Sequence, residues 1–518
     1  MKRFVRHIVP LIVSALIAWI SPSALPREAA PDIPDQTLTQ LLPVSTVAAV
    51  EIRDLDRRWS EIRGLPAIAR FQDRFLAGLG LSAADLRGFA GDRAVLALVT
   101  ASDGRSVIPL GLVRPPRLAE ATARLEELRV SYRLERDAIW LVPSADADRL
   151  KRLVLEPRAD GDRDFRLDEL DRSLPSGGLV RGWINPVALR GLLLHQLPGT
   201  KPALVELLAA LGAAELEAVR FAGFRRDLTA DGVLADAIVG YDTDLLPPEV
   251  TRALGTLPRP SLLPPTLPSG IVAMAAFRPE AEASLAWLRH ASASDPRGPL
   301  RNFEFWLDEL QGSTGLDIER DLLDHLGDQG WLVVFEGDSG DTVQVAIVFE
   351  VEDAMRVEGS LVQLRSWWME EAWGRSLGFV IPRAHESNVS GSVLHAMTLW
   401  TLLGEAPGPA FLVHDGHLLV ATTERAVTKS LQLLAGKESW TATVTEPDLP
   451  VPAHESMIVS GAALARLLEV LRTTEAGDPA VAEMTAAFSE LAAELGSISG
   501  GVWYEGDAVR LRGRVRFR

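Results

Sequence analysis

Apolar residues along this chain follow two patterns, short runs of strand length and longer stretches with apolar positions at helical spacing. The runs 94–100 and 107–113 flank Asp103-Gly104, a dipeptide that favours a two-residue turn because both residues tolerate positive φ. They predict a β-hairpin. The stretch 118–128, which follows two prolines, has helical spacing and predicts a helix.

The same patterns run through the rest of the first half. Further strands are predicted at 47–52, 179–184, 218–224 and 233–241, and a second hairpin, 132–135 with 139–142, turns at Arg136-Asp137. Further helices are predicted at 55–77, 81–89, from 145, at 187–194 and at 203–211. Hairpins dominate over βαβ units, which favours an α+β fold of mostly antiparallel sheet covered by helices.

A string of paired residues occurs twice in the chain. Asp85-Leu86 and Gly91-Asp92 in the first copy correspond to Asp321-Leu322 and Gly327-Asp328 in the second, each displaced by 236 residues. A constant offset between similar strings marks a repeated structural unit. The sequence therefore predicts two similar modules in tandem.

Module boundaries follow from composition and from the offset. Five prolines between 257 and 268 predict a linker, which separates a first module, 31–256, from a second, 269–518. The hairpin turn at Asp415-Gly416 corresponds to the turn at Asp137, and there the offset has grown to 278 residues. About 42 residues are therefore inserted in the second module, at about 361–409.

The N-terminus has a basic start followed by an uncharged apolar stretch, 8–26. This pattern is typical of an export signal, so residues 1–30 are predicted to be a signal peptide or a signal-anchor helix. The chain has no cysteine, which excludes a lipobox, disulfides and thiolate metal sites. We expect a body outside the cytoplasm, either periplasmic or anchored in the inner membrane through the N-terminal helix.

Charge limits the class of partner. The net charge of −17 repels phosphate backbones, so no nucleic-acid partner is expected. The C-terminal arginines nevertheless alternate at period two, which places them on one face of a final strand. That stripe is either an anion-binding surface or a solvated strand face.

Motifs with chemistry are sparse. Gly91-Asp92 and Gly327-Asp328 are interpreted as structural turns in which glycine supplies a left-handed, helix-ending conformation. Asp160, Asp162 and Asp164 resemble calcium ligands, but Phe165 occupies the position that requires glycine. No nucleophile or nucleotide-binding motif occurs, so no catalytic residue and no cofactor are predicted.

Five histidines fall within 70 residues of the second half, which raises the hypothesis of a metal site. Two of them straddle the Asp415-Gly416 turn, and no recognised zinc spacing is present, so a surface hairpin is the favoured interpretation. The histidines concerned are His385, His395, His414, His417 and His454.

The insertion holds four of the thirteen tryptophans, Trp367, Trp368, Trp373 and Trp400. Aromatic residues are enriched at the centres of protein interfaces, so these four are the candidate partner-binding residues. The alternative is that they pack the insertion onto its own module.

The segment 314–335, TGLDIERDLLDHLGDQGWLVVF, resembles uncharacterised exported bacterial proteins of the domain-of-unknown-function 3352 family. The opening run 41–55, LLPVSTVAAVEIRDL, is similar to the start of the same unit. The resemblance implies secretion or membrane attachment and carries over no catalytic residue.

Together these features predict an exported, non-enzymatic protein of the cell envelope that binds a partner protein. Two alternatives stay open. One is a periplasmic hydrolase with an unmarked Ser or His site between the modules, and the other is an apolar-ligand-binding protein that holds its ligand between the two halves.

Overall fold

A computed structural model describes most of the sheet and many of the helices. It describes 38–53, 93–100, 107–128, 131–135, 137–142, 167–174, 180–196, 215–229, 232–256, 263–264, 267–294, 302–337, 343–375, 380–401, 404–436, 453–466 and 492–517, with single positions at 82, 84, 85, 88, 91, 148, 157 and 489. Among these residues no helix combines the length and the hydropathy that a bilayer crossing requires.

Eighteen strands of the described residues form one sheet, and every strand pair is antiparallel. The first eight strands are β1 Thr46–Arg53, β2 Arg93–Thr100, β3 Val107–Val113, β4 Ser131–Glu135, β5 Ala138–Val142, β6 Val180–Ile184, β7 Val219–Thr229 and β8 Gly232–Tyr241. The other ten are β9 Ile271–Phe277, β10 Leu326–Glu336, β11 Val343–Val351, β12 Val380–Val389, β13 Ser392–Thr401, β14 Gly404–His414, β15 His417–Ala421, β16 Glu455–Ser460, β17 Leu495–Tyr504 and β18 Ala508–Phe517.

The described residues also form nine helices, several of which pack against strands of this sheet. They are α1 Leu118–Glu127, α2 Leu167–Ser173, α3 Pro186–Gln196, α4 Pro248–Leu254, α5 Ala281–Ser294, α6 Phe303–Thr314, α7 Ile318–Asp321, α8 Ala354–Arg375 and α9 Glu424–Ala435, with 3₁₀ turns at Leu38–Leu41, Thr243–Leu245 and Leu323–His325. Local chemistry sets several ends. The Thr423 side chain accepts a hydrogen bond from the Ala426 amide at the start of α9, and Gly315 ends α6 in the left-handed conformation at φ 74°.

The prediction of mostly antiparallel sheet with helices is confirmed. The predicted pairs at 94–113 and 132–142 are the hairpins β2–β3 and β4–β5, and the Asp415-Gly416 turn joins β14 to β15. The predicted helices 55–77 and 203–211, the Asp103-Gly104 turn, Asp160 to Asp164 and the signal or anchor segment 1–30 lie outside the described residues. So does part of the predicted linker 257–268.

Strand pairings follow one order in the first part of the chain and the same order again in the second. From its outer edge the first part reads β4-β5-β3-β2-β1-β6-β7-β8. The second reads β14-β15-β11-β10-β9-β16-β17-β18, and the hairpin β12–β13 extends it beyond β14. The predicted insertion at 361–409 thus covers the C-terminal two thirds of α8, this extra hairpin and the start of β14.

The two parts are joined edge to edge. β8 pairs with β18 along nine residues of each strand, so the last strand of the first part meets the last strand of the second. Asp236 stands directly opposite Arg512 in this ladder, and the Arg512 Nε donates to Asp236 Oδ1 at 2.5 Å. The Asp236 side chain is only 3% exposed.

The C-terminal arginines lie on β18, so their burial tests the two interpretations of the arginine stripe. Arg510 donates to the Ser173 carbonyl at the end of α2, and Arg514 is 6% exposed. A solvated strand face is therefore the wrong interpretation, because the side chains of Arg510 and Arg512 are only 23% and 25% exposed and both pair with carboxylates of the fold.

We expect the Arg512→Ala substitution to cost about 3 kcal/mol or more of unfolding free energy, because it leaves the buried Asp236 carboxylate without its cation. Arg252→Ala is the matched control. Its partner Glu282 is 61% exposed, and loss of such a surface pair costs about 1 kcal/mol or less. Urea unfolding of the two variants checks this, and equal losses would contradict a structural role for the buried pair.

Candidate functional site

The first copy of the repeated string forms a helix cap. Asp85 accepts from the Ser82 amide at 2.8 Å, and the Ser82 hydroxyl oxygen accepts in return from the Asp85 amide at 3.1 Å. The two hydrogen bonds are reciprocal, as in a capping box. Arg124 of α1 donates to the same carboxylate at 2.7 Å, and this hydrogen bond lowers the pKa of Asp85.

The second copy repeats this chemistry. Asp321 accepts from the Asp317 amide at 2.9 Å and from Arg320 and Arg356, the latter at 2.7 Å. These charged donors, Arg320 first, lower the pKa of Asp321. In both copies the carboxylate links the backbone amide that it caps to the helix that follows the next hairpin, so the string has a structural role.

The glycines of the string are used differently. Gly91 has φ 56°, as the left-handed interpretation requires. Gly327 does not adopt positive φ and lies within β10, so that interpretation is wrong for the second copy. A Cβ at Gly327 would lie 2.9 Å from the Glu350 Cβ, so close strand approach is what requires glycine there.

The histidines have separate partners. His385 pairs with Glu424, His395 lies between Glu358 and Glu386, and the His454 Nε2 is 2.7 Å from the Thr256 carbonyl oxygen. In the described part of the chain no three His, Cys, Asp or Glu side chains are arranged to hold a metal ion.

One serine and one histidine form a hydrogen-bonded pair. Ser392 Oγ is 3.0 Å from His414 Nδ1, and the other ring nitrogen is 3.5 Å from the Asp415 carboxylate. The group sits at hairpin tips on the outer part of the sheet. Asp415 is 89% exposed, whereas the acid of a catalytic triad is buried and orients the imidazole. This exposure argues against a hydrolase centre.

The candidate tryptophans of the insertion lie on two elements. Trp367 and Trp368 are neighbours on α8, where Trp367 is partly buried and Trp368 is 38% exposed. Trp373 lies on the last turn of α8 and Trp400 on β13, between Ile381 and Glu405 of the neighbouring strands. The partner-binding assignment of these residues stays a prediction.

A larger feature lies at the centre of the sheet. A groove of about 930 Å³ runs across one sheet face beside α5 and spans eight neighbouring strands, β7, β8, β18, β17, β16, β9, β10 and β11. Eight strands correspond to seven spacings of about 4.8 Å, or roughly 34 Å. Both parts of the chain contribute to its floor.

The floor consists of directly paired residues. One row crosses all eight strands and reads Arg226, Ala235, Gly513, Gly500, Met457, Ala275, Leu332 and Ile347. Because alternate residues of a strand point to opposite faces, paired residues share one face. Three successive positions of this row carry a methyl group or no side chain, and this lack of side chains creates the space.

Aromatic rings close the two ends. Phe224 lies over Gly182 of the neighbouring strand, where a Cβ would meet its ring at 2.2 Å. Phe277 lies over Gly330 in the same way and packs edge-on against Phe349 at 5.9 Å. Each ring thus occupies space that the glycine on the adjacent strand leaves free.

Polar groups along the groove are few. The Tyr504 hydroxyl donates to Glu455, and burial together with this carboxylate raises the pKa of Tyr504. Arg226 stands beside Phe224 at one end, 5% exposed, with its guanidinium carbon 4.8 Å from the ring centroid. Among the described lining residues there is no histidine.

Comparisons with protein-family models, with curated proteins and with solved structures found no match to this chain. The resemblance of 314–335 to an exported bacterial family therefore stays a prediction.

The sequence left open an apolar-ligand site between the two halves as an alternative, but it identified none of the residues that line the groove. Its floor residues are alanines, glycines and scattered aliphatic residues on strands far apart in the chain. The available signal was the glycines among the apolar residues near the C-terminus, such as Gly500-Gly501 and Gly513.

We expect Asp321→Asn to destabilise the protein at neutral pH and to lose this effect in acid. The pKa of Asp321 is lower in the folded protein than in the unfolded chain, where it is about 3.9. Its stabilisation is therefore complete above the unfolded value and disappears as pH falls through the folded value.

Urea unfolding of the wild type and this variant across pH measures the difference. Asp324→Asn, at an exposed position on the neighbouring turn, is the control. A wild-type advantage over Asp321→Asn that persists unchanged at the lowest pH would contradict the ionic role of Asp321.

Proposed function

We propose that this protein binds an elongated apolar ligand in the central groove. The observation that carries the proposal is the open row of small and aliphatic residues on seven of the eight paired strands. Ligand sites are concave and mostly apolar, with a few placed polar groups, and a volume of about 930 Å³ falls in their usual range.

Burial of floor residues supplies the driving force. Met457 is 43% exposed and Leu511 is 40% exposed, although both lie near the middle of the sheet. Covering apolar surface contributes about 25 cal/mol per Å². An aliphatic chain along the floor would cover both residues and the aliphatic row beside them.

The proposed location of the protein and its proposed division into modules come from the sequence. The chain is an exported protein of the envelope, periplasmic or held by its N-terminal helix, with two tandem modules over 31–256 and 269–518. The repeated strand order and the repeated carboxylate cap support the duplication. Under this proposal the ladder between β8 and β18 is the module junction, and the groove is built across it.

A partner protein at the insertion is compatible with this function. Trp368, at 38% exposed, leaves part of an indole on the surface of α8. In this second proposal the tryptophans recruit an envelope protein that delivers or accepts the ligand.

Gly513→Leu tests the groove. A Cβ at Gly513 would lie 3.5 Å from its nearest neighbour, the Ser499 carbonyl oxygen, which is an ordinary contact. The added side chain would therefore fill the floor without moving the backbone. We expect the full-length protein to bind the neutral fluorescent probe Nile red, and Gly513→Leu to weaken this binding at least about tenfold, or about 1.4 kcal/mol.

Gly359→Leu is the matched control, since it adds the same side chain at an exposed position of α8 with no atom within 4 Å. It should leave probe binding unchanged. Thermal melts of both variants check that the fold is intact. Absence of wild-type binding, or equal binding by all three proteins, would overturn the proposal.

A further inference from the structure

We propose that the ligand of the groove is an unbranched aliphatic chain and that Met457 sets the chain length that the groove accepts. The inference rests on the proposed function, because it assigns the ligand class and a specificity-determining residue of the same groove. Met457 lies on β16 in the middle of the floor row, and it is 43% exposed although large apolar side chains at the centre of a sheet are usually covered.

The smallest floor residues form a narrow trough. Ala235, Gly513 and Gly500 are paired across β8, β18 and β17, and each carries one methyl group or no side chain. Residues two positions away on the same strands share this face of the sheet, so a parallel row runs along each side of the trough at about 6.8 Å. The side chains of these two rows form the walls.

Both walls are apolar. The row on one side consists of buried, directly paired residues of one cluster, Val233, Val515 and Ile498. The row on the other side is paired in the same way and consists of Ala237, Leu511 and Val502. The trough is thus one residue row wide with hydrocarbon on both sides, and an extended aliphatic chain has the matching shape.

Met457 interrupts a longer run of small residues. It pairs with Gly500 on one side and with Ala275 of β9 on the other, and Ala275 again carries only a methyl group. A Cβ at Gly500 would lie 3.8 Å from the Met457 Cγ, so the methionine side chain borders the open space above that glycine. Methionine is unbranched and flexible, which lets it pack against the end of a ligand.

Large side chains set the two ends of the trough. Arg226 is the first residue of the row and lies beside the Phe224 ring, and Met457 is the fifth. Four strand spacings separate them, which is about 19 Å. Without the methionine side chain the row stays small as far as Leu332, two spacings or about 10 Å further on. Met457 therefore limits the length of the chain.

Competition of 1-alkanols against Nile red tests this limit in the full-length protein. The even-numbered alcohols from octanol to octadecanol share one head group and differ only in chain length. Each methylene that enters the trough should strengthen binding about fourfold. In the wild type we expect this gain to stop once the chain spans the distance between Arg226 and Met457.

Met457→Ala should move the end of this gain to alcohols about two or more carbons longer, because it opens part of the 10 Å toward Leu332. Met457→Leu keeps a large side chain at the position and should keep the wild-type limit. Met355→Ala is the matched control, since it removes the same atoms from a residue that is 85% exposed on α8. Thermal melts of the three variants check their folding.

The outcomes separate the two proposals. If the wild type does not bind Nile red, the groove function itself fails. If Nile red binds and Gly513→Leu blocks it, but the wild type and Met457→Ala have the same length limit or no limit, only the role of Met457 fails. Alkanol affinity that does not depend on chain length would overturn the assignment of an aliphatic chain.

Discussion

The structure depends on the register of one strand pair, β8 with β18. This ladder joins the two parts of the sheet and places Asp236 opposite Arg512 and Ala237 opposite Leu511. Because side chains alternate with period two, the register sends the ion pair to one face and the small and aliphatic residues to the other. A slip of one residue would place arginines of β18 in the groove, so the buried pair fixes the apolar floor as well as the junction.

Polarity at the centre of the sheet is reversed from the usual arrangement. Asp236 and Arg514 are nearly inaccessible on one face, while Met457 and Leu511 are about two-fifths exposed on the other. Both features oppose stability when considered alone, since buried charge and exposed hydrocarbon each carry a free-energy cost. Natural proteins tolerate such local conflicts mainly at functional sites, and this favours the groove over the histidines as the candidate site.

Local elements were predictable because their signals are local. The hairpin turns follow from adjacent residues that tolerate positive φ, as at Asp415-Gly416, and the repeated carboxylate followed from a constant offset. The groove was not predictable because its floor depends on pairing between strands distant in the chain, such as Gly500 with Met457. The tryptophans made the insertion the predicted binding site, whereas the groove that the fold forms is lined at its centre by small side chains.

Small residues at the centre of a sheet lower its stability, so their presence there requires an explanation. Glycine inside a strand costs roughly 0.5–1 kcal/mol relative to alanine, and Gly500 and Gly513 face one another in the interior of β17 and β18. A Cβ at Gly513 would fit without strain, so packing does not exclude a larger residue there. The long ladders on either side supply the stability that these positions lack. What the glycines preserve is open space above the junction of the two parts, which is the space that the proposed apolar ligand would occupy.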